Sequence, residues 1–140
     1  MNTDKTGYCN PLTERVLSAV FEVSNTLGAG FLEKVYERAL LHEFNLRGIR
    51  ATAQAPLAVT YKGHPIGEYF ADILVEDLLV IEVKCVDRLA PAHTAQCLNY
   101  LRASGLRLCL LVNFQQPKVE WKRIMCGFPA SAPVEPLPFE

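Results

Sequence analysis

The chain has little of what marks a nucleic-acid coat, a secreted scaffold or a membrane protein. Its 14 lysines and arginines stand against 15 aspartates and glutamates, a formal net charge of −1, which argues against a strongly basic surface built to hold a polyanion. Charge can still be local: Arg88, Arg102, Arg107, Lys118, Lys122 and Arg123 all fall in the second half. The five cysteines, Cys9, Cys85, Cys97, Cys109 and Cys126, are odd in number and form no CxxC pair. That suits buried packing thiols in a reducing compartment better than a disulfide frame or a zinc knuckle. No apolar run approaches the length of a membrane span, and the opening Met-Asn-Thr-Asp-Lys-Thr lacks the basic and apolar regions of a signal peptide. A cytoplasmic location with no membrane partner is therefore expected. There is no internal repeat or linker, and no helix-turn-helix, zinc finger or aromatic-basic strand motif that would read a base sequence.

What is present suits one compact domain. Half the residues are hydrophobic and 21% are charged, enough apolar surface for a two-layer core. Asn10-Pro11 reads as a helix start, and Val16, Val20, Val23 and Leu27 recur at helical spacing until Gly28-Ala-Gly30. A second helix is expected from about Leu32 to Leu46, closing at Arg47-Gly48. Strands follow from Gln54 to Tyr61 and from Pro65 to Val75, around a hairpin-type turn at Lys62-Gly63-His64, and then from Leu78 to Cys85. A helix from about Pro91 to Ala103, a strand from Leu106 to Phe114 and an edge strand from Val119 to Met125 complete the order. The expected organisation is a single domain over 1–128 and a Pro-rich tail over 129–140, extended or disordered.

The most informative residues are three charges inside apolar strands. Tyr69 to Val75 and Leu78 to Cys85 are rich in branched and aromatic side chains, and Glu76-Asp77 is the only turn between them, so they read as an antiparallel hairpin. Side chains alternate along a strand, so Glu82 and Lys84 share a face, and pairing Ile73 with Ile81 puts Asp72 opposite Glu82. That register requires an odd loop centred on Asp77. It also gathers Ala71, Ile73, Val75, Leu79, Ile81, Val83 and Cys85 on the other face, whereas a slip of one residue would mix charges into that apolar set.

Two adjacent carboxylates repel, and Lys84 offsets only part of that repulsion. A hard divalent cation, Mg²⁺ or Mn²⁺, would relieve it, since such ions take carboxylate oxygens, keep several waters and bind phosphate. Lys84 would then orient, or help deprotonate, an attacking water. The competing interpretation of these residues is a solvated salt-bridge cluster on an exposed sheet face.

A sheet carrying Asp, then Glu-x-Lys, followed by a helix and a further strand, resembles the PD-(D/E)XK nuclease superfamily, whose core is commonly ordered αβββαβ. The implied fold class is α/β, a mixed sheet flanked by helices. Gly30-Phe-Leu-Glu33-Lys-Val-Tyr36 fits the GxxExxY motif that names one family within it. Phe70-Ala-Asp72, Ile81-Glu82-Val-Lys84, His93 to Tyr100 and Leu111-Val-Asn-Phe114 follow in the order expected of that family. Ala71 departs from the pattern, standing where the superfamily name has proline.

The resemblance implies a metal-dependent nuclease acting on DNA or RNA. Asp72, Glu82, the backbone carbonyl of Val83 and Glu33 would hold the ion, with Lys84 beside the attacking water. Glu33, Tyr36 and Glu37 share one helix face by their spacing; Glu37 ranks behind Glu33, and Tyr36 and Glu37 are expected near substrate. The bland alternative is a first-turn glutamate favoured by the helix dipole and a half-buried tyrosine. Gln96 and Tyr100, four apart on the third helix, are similar to a Gln-x-x-x-Tyr motif of the RecB-like branch. Gln96 is thereby a candidate for the phosphate or the water, and Tyr100 for substrate or for bracing Gln96. His93, one turn earlier, is a candidate phosphate contact or a capping residue. The alternative function is a catalytically silent nucleic-acid-binding or partner-binding module on the same fold. A protein partner or a second copy would add the binding surface that a small domain lacks.

Overall fold

The computed structural model describes residues 10–127, so the expectation for the Pro-rich tail lies outside the described residues. The element order is α1 (Asn10–Leu27), α2 (Glu33–Leu46), β1 (Ala51–Tyr61), β2 (His64–Val75), β3 (Leu79–Lys84), α3 (Pro91–Ser104), β4 (Leu108–Asn113) and β5 (Glu120–Met125). The expected order of elements is the order found. α1 forms because Val16, Ala19, Val20 and Val23 fall on one buried stripe, and it stops where Gly28 takes a left-handed φ of 73° and its N–H caps Ser24 O. A residue with a Cβ resists that conformation. α2 buries Tyr36, Leu40 and Phe44 at a strict four-residue spacing, which holds one side of the helix on the sheet.

The five strands form one mixed sheet in the order β1-β2-β3-β4-β5. Only β3 and β4 are parallel, and the connection between them is α3, since a parallel pair needs a crossover. Both are buried along nearly their whole length, which is why they read as apolar runs, broken in β3 only by Glu82 and Lys84. The sheet separates two cores. One lies under α1 and α2 and includes Val20, Tyr36, Leu40, Phe44, Ile73, Ile81, Leu110 and Phe114. The smaller one lies under α3 and includes Val80, Cys97, Leu98, Cys109 and Leu111. Among the described residues the cysteines are free thiols, Cys97 and Cys109 buried, Cys85 and Cys126 half-buried, and no helix is long and apolar enough to cross a membrane.

The β2–β3 hairpin has the register that its apolar pattern demands, with Ile73 opposite Ile81, Leu74 opposite Val80 and Val75 opposite Leu79. The loop is Glu76-Asp77-Leu78, odd and centred on Asp77. Glu76 and Asp77 both take left-handed backbone, φ 52° and 57°, which acidic residues tolerate better than branched ones. Arg50 pins the turn from the start of β1, with Nη1 2.8 Å from Asp77 Oδ2 and its own N–H 2.8 Å from Glu76 Oε2. One placement differs from strict alternation. Ala71 packs into the α3-side core, while Ile73 faces α1 and α2. The break coincides with Gln54 on β1, which stands across from Asp72 at φ 51° and leaves a gap in the β1–β2 pairing between Ala53–Ile73 and Ala55–Ala71.

Candidate active site

The site is built where β2 and β3 stop pairing. Beyond Ile73–Ile81 the ladder ends, and two carboxylates occupy the split. Val83 N–H donates to Asp72 Oδ2 at 2.8 Å, and Asp72 N–H donates to Glu82 Oε2 at 3.3 Å. Each side chain thus takes a main-chain donor from the opposite strand, satisfying backbone groups that the split would otherwise orphan. Glu33, first residue of α2, adds a third cross-link: its Oε2 accepts from Cys85 N–H at 3.1 Å. This ties the start of α2 to the end of β3, directly after Lys84.

The electrostatics follow from this crowding. Glu82 is buried, and burial first, then the charge of Asp72, pushes its carboxyl up to about 7. Asp72 is also raised, chiefly by burial and further by the charges of Glu37 and Glu33, while the Val83 N–H and the charge of Lys84 oppose the shift. Two acids side by side both resist ionisation, and the charge of Lys84, on the same strand as Glu82, offsets only part of the cost of charging them.

Among the described residues no group of three or more His, Cys, Asp or Glu side chains is arranged to hold a metal ion. What converges is two carboxylates from adjoining strands, with the carbonyl-bearing backbone of Val83 between Glu82 and Lys84. That fits Mg²⁺, which retains several waters and is held through one or two carboxylates rather than by a full protein cage. It does not fit Zn²⁺, which takes four ligands rich in His and Cys.

The other candidates divide into those that face this split and those that do not. Gln96 and Tyr100 meet on α3, Gln96 Nε2 donating to Tyr100 Oη at 3.0 Å, so Tyr100 braces Gln96. Tyr100 also stacks on Tyr69 of β2, ring centroids 3.4 Å apart and planes 11° apart, which brings α3 against the strand that carries Asp72. Tyr36, a candidate for substrate contact, is an interior residue. It is fully buried, its hydroxyl donates to Gly28 O and accepts from Phe31 N–H, and its ring stacks on Phe114 at 4.4 Å. It fixes the α1–α2 connection from inside. Glu37, the other candidate of that helix face, is buried, is bridged to Lys34 at 3.2 Å, accepts from Gln54 Nε2 at 3.4 Å, and its charge helps raise Asp72. His93 is a cap, its Nδ1 accepting from Ala90 N–H at 2.9 Å at the start of α3.

Two residues that matter were not singled out from sequence. Asn113, fully buried at the end of β4, exchanges two bonds with Val86, donating to its carbonyl at 2.8 Å and accepting from its N–H at 3.0 Å. It also donates to Glu120 Oε1 at 3.0 Å, and that atom accepts from Leu89 N–H. The segment leaving Lys84 is thereby clamped to β4 and β5. Tyr69, half-buried, has a hydroxyl that lies beside Glu82 with no partner at hydrogen-bond geometry.

No curated protein is similar to this sequence at a significant level. Among solved structures, the crystal structure of SSO0001 superposes with a TM-score of 0.51 at 20% identity, over 89% of this chain and 62% of that one. This chain thus spans less than two thirds of that protein's length, and at this identity the likeness speaks for the fold alone. LHK-Exo in complex with dAMP overlaps with a TM-score of 0.46 at 14% identity, covering 76% of each chain. The alkaline exonuclease LHK-Exo from Laribacter hongkongensis gives 0.40 at 14%, covering 81% of this chain and 82% of that one. The family model of the PD-(D/E)XK nuclease superfamily matches residues 10–124, a span that runs from the first residue of α1 to the penultimate residue of β5 and takes in every residue of the split, and the chain belongs to that superfamily.

Proposed function

We propose that this protein is a Mg²⁺- or Mn²⁺-dependent nuclease that hydrolyses phosphodiester bonds in DNA or RNA, of the GxxExxY type, working in the cytoplasm as one catalytic domain over 1–128. The observation that carries the reading is the pairing of Asp72 and Glu82 across the β2–β3 split, with Lys84 on the same strand as Glu82. Superfamily membership supports it.

Asp72 and Glu82 would hold the cation with the carbonyl oxygen of Val83, and Glu33 stands at the rim to complete the set. When bound there, the ion supplies positive charge against the phosphate oxygens and makes water more acidic. The chain's own groups do the rest. Lys84 orients the attacking water and stabilises charge that grows on the phosphate. Gln96, held by Tyr100, offers an amide to a phosphate oxygen. Glu33 and Asn113 hold Cys85 and Val86, the two residues directly after Lys84, so Lys84 stays aligned with the carboxylates.

A panel of labelled single- and double-stranded DNA and RNA, incubated with Mg²⁺, with Mn²⁺ and with chelator, tests the assignment. Cleavage of at least one substrate that chelator abolishes is the expected result. Salt-dependent binding of the panel with no cleavage under any condition would replace the nuclease with a silent binding module.

A further inference from the structure

Among the described residues, the hydroxyl of Tyr69 is the one buried side-chain oxygen without a hydrogen-bond partner. Buried polar groups are nearly always paired, so an orphan asks for an explanation. It lines a small enclosed cavity with Glu82, Val80, Leu57 and Tyr100. The remaining lining is aliphatic or thiol, which leaves Glu82 the only charged acceptor within that cavity. The ring of Tyr69 is not free to turn away, because it is stacked on Tyr100, and Tyr100 is in turn held by Gln96.

Glu82 has complementary needs. One of its oxygens, Oε2, accepts from Asp72 N–H at a long 3.3 Å, and among the described residues no second donor is seated on its carboxylate. A carboxylate that holds a cation through one oxygen is kept in place by a donor on its remaining lone pairs, and such supporting donors typically govern affinity by roughly 10- to 100-fold.

We propose that Tyr69 is the positioning residue of Glu82, its phenol O–H donating to the Glu82 carboxylate when that carboxylate holds a cation, while the stack on Tyr100 keeps the phenol aimed. The proposal rests on the reading of Glu82 as a metal ligand. Tyr69 touches neither substrate nor the reacting phosphate; it acts through Glu82. The conservative variant Tyr69→Phe keeps the ring and its stack and removes only the hydroxyl.

Calorimetric titration of the purified full chain with Mn²⁺ alone is the test, with wild type beside Tyr69→Phe and no nucleic acid present. The expected result is about a tenfold weaker Mn²⁺ affinity in Tyr69→Phe, with a melting temperature in chelator equal to wild type or higher. A tyrosine ultraviolet difference spectrum on adding Mn²⁺ should appear in wild type and vanish in the variant. Equal Mn²⁺ affinities, or a difference spectrum that survives in Tyr69→Phe, would overturn the positioning role and leave the nuclease reading standing. A wild-type protein that takes up no Mn²⁺ at all would overturn both.

Discussion

Glu82→Gln should make the metal-free protein more stable, by an amount that depends on pH. Glu82 titrates at about 7 in the folded chain, against 4.5 for an ordinary glutamate. The folded state therefore keeps this proton over a range in which the unfolded state has lost it. Stability from this group is fully present below pH 4.5 and falls as pH rises through 7. The gap corresponds to roughly 3 kcal/mol at pH 8 and to less than about 0.5 kcal/mol at pH 4.5. Glutamine cannot ionise, and its amide oxygen can still accept the Asp72 N–H, so the variant escapes the penalty without losing that bond. For a domain of this size about 3 kcal/mol shifts a melting temperature by roughly 10 °C. Thermal melts in chelator should therefore place Glu82→Gln well above wild type at pH 8 and level with it at pH 4.5. Adding Mg²⁺ at pH 8 should raise wild type and leave the variant nearly unchanged, because an ion that binds only the folded state stabilises it by mass action. A gap between the two proteins that is the same at both pH values would refute the reasoning, since it would show that Glu82 is not held back from ionising.

Two further substitutions separate the scaffold from the chemistry. Asn113→Ala removes four hydrogen bonds around the segment after Lys84 and leaves buried groups unpaired, so denaturant unfolding should show a loss of about 2 to 4 kcal/mol, and nuclease activity should fall even where the protein is still folded. His93→Ala removes only the cap of α3 and should cost about 1 kcal/mol while cleavage stays within about twofold of wild type; a loss of a hundredfold or more would restore His93 to the phosphate.

The parts of this fold that were legible in the sequence are those where one face of an element is buried and the other is not. The register of the β2–β3 hairpin is the clearest case. Ile73, Val75, Leu79 and Ile81 have to face one core, and only one pairing does that without putting a charge into that apolar set. The same logic places β3 and β4 at the centre of the sheet, because both are dominated by branched apolar residues and are buried along nearly their whole length. Illegible features depend on how whole elements rotate and pack. The spacing of Glu33, Tyr36 and Glu37 puts them on one side of α2, but it does not say that the helix turns Tyr36 into the core against Phe114. Gln54 carries no turn signal, yet its left-handed backbone interrupts the sheet at Asp72. Asn113 looked like the polar end of an apolar strand, because its partners, Val86 and Glu120, are distant in sequence. Tyr69 passed for an ordinary strand former for the same reason: its neighbour Tyr100 arrives from another element.

The central claim is that Lys84 takes part in the reaction and is not needed to hold the ion, and the direct measurement pairs a single-turnover cleavage assay with a Mn²⁺ titration on wild type and Lys84→Ala. The expected outcome is cleavage reduced by at least a thousandfold in the variant, with Mn²⁺ affinity unchanged or slightly higher because a cation beside Asp72 and Glu82 has been removed. Metal-dependent cleavage at the wild-type rate in Lys84→Ala would contradict the account.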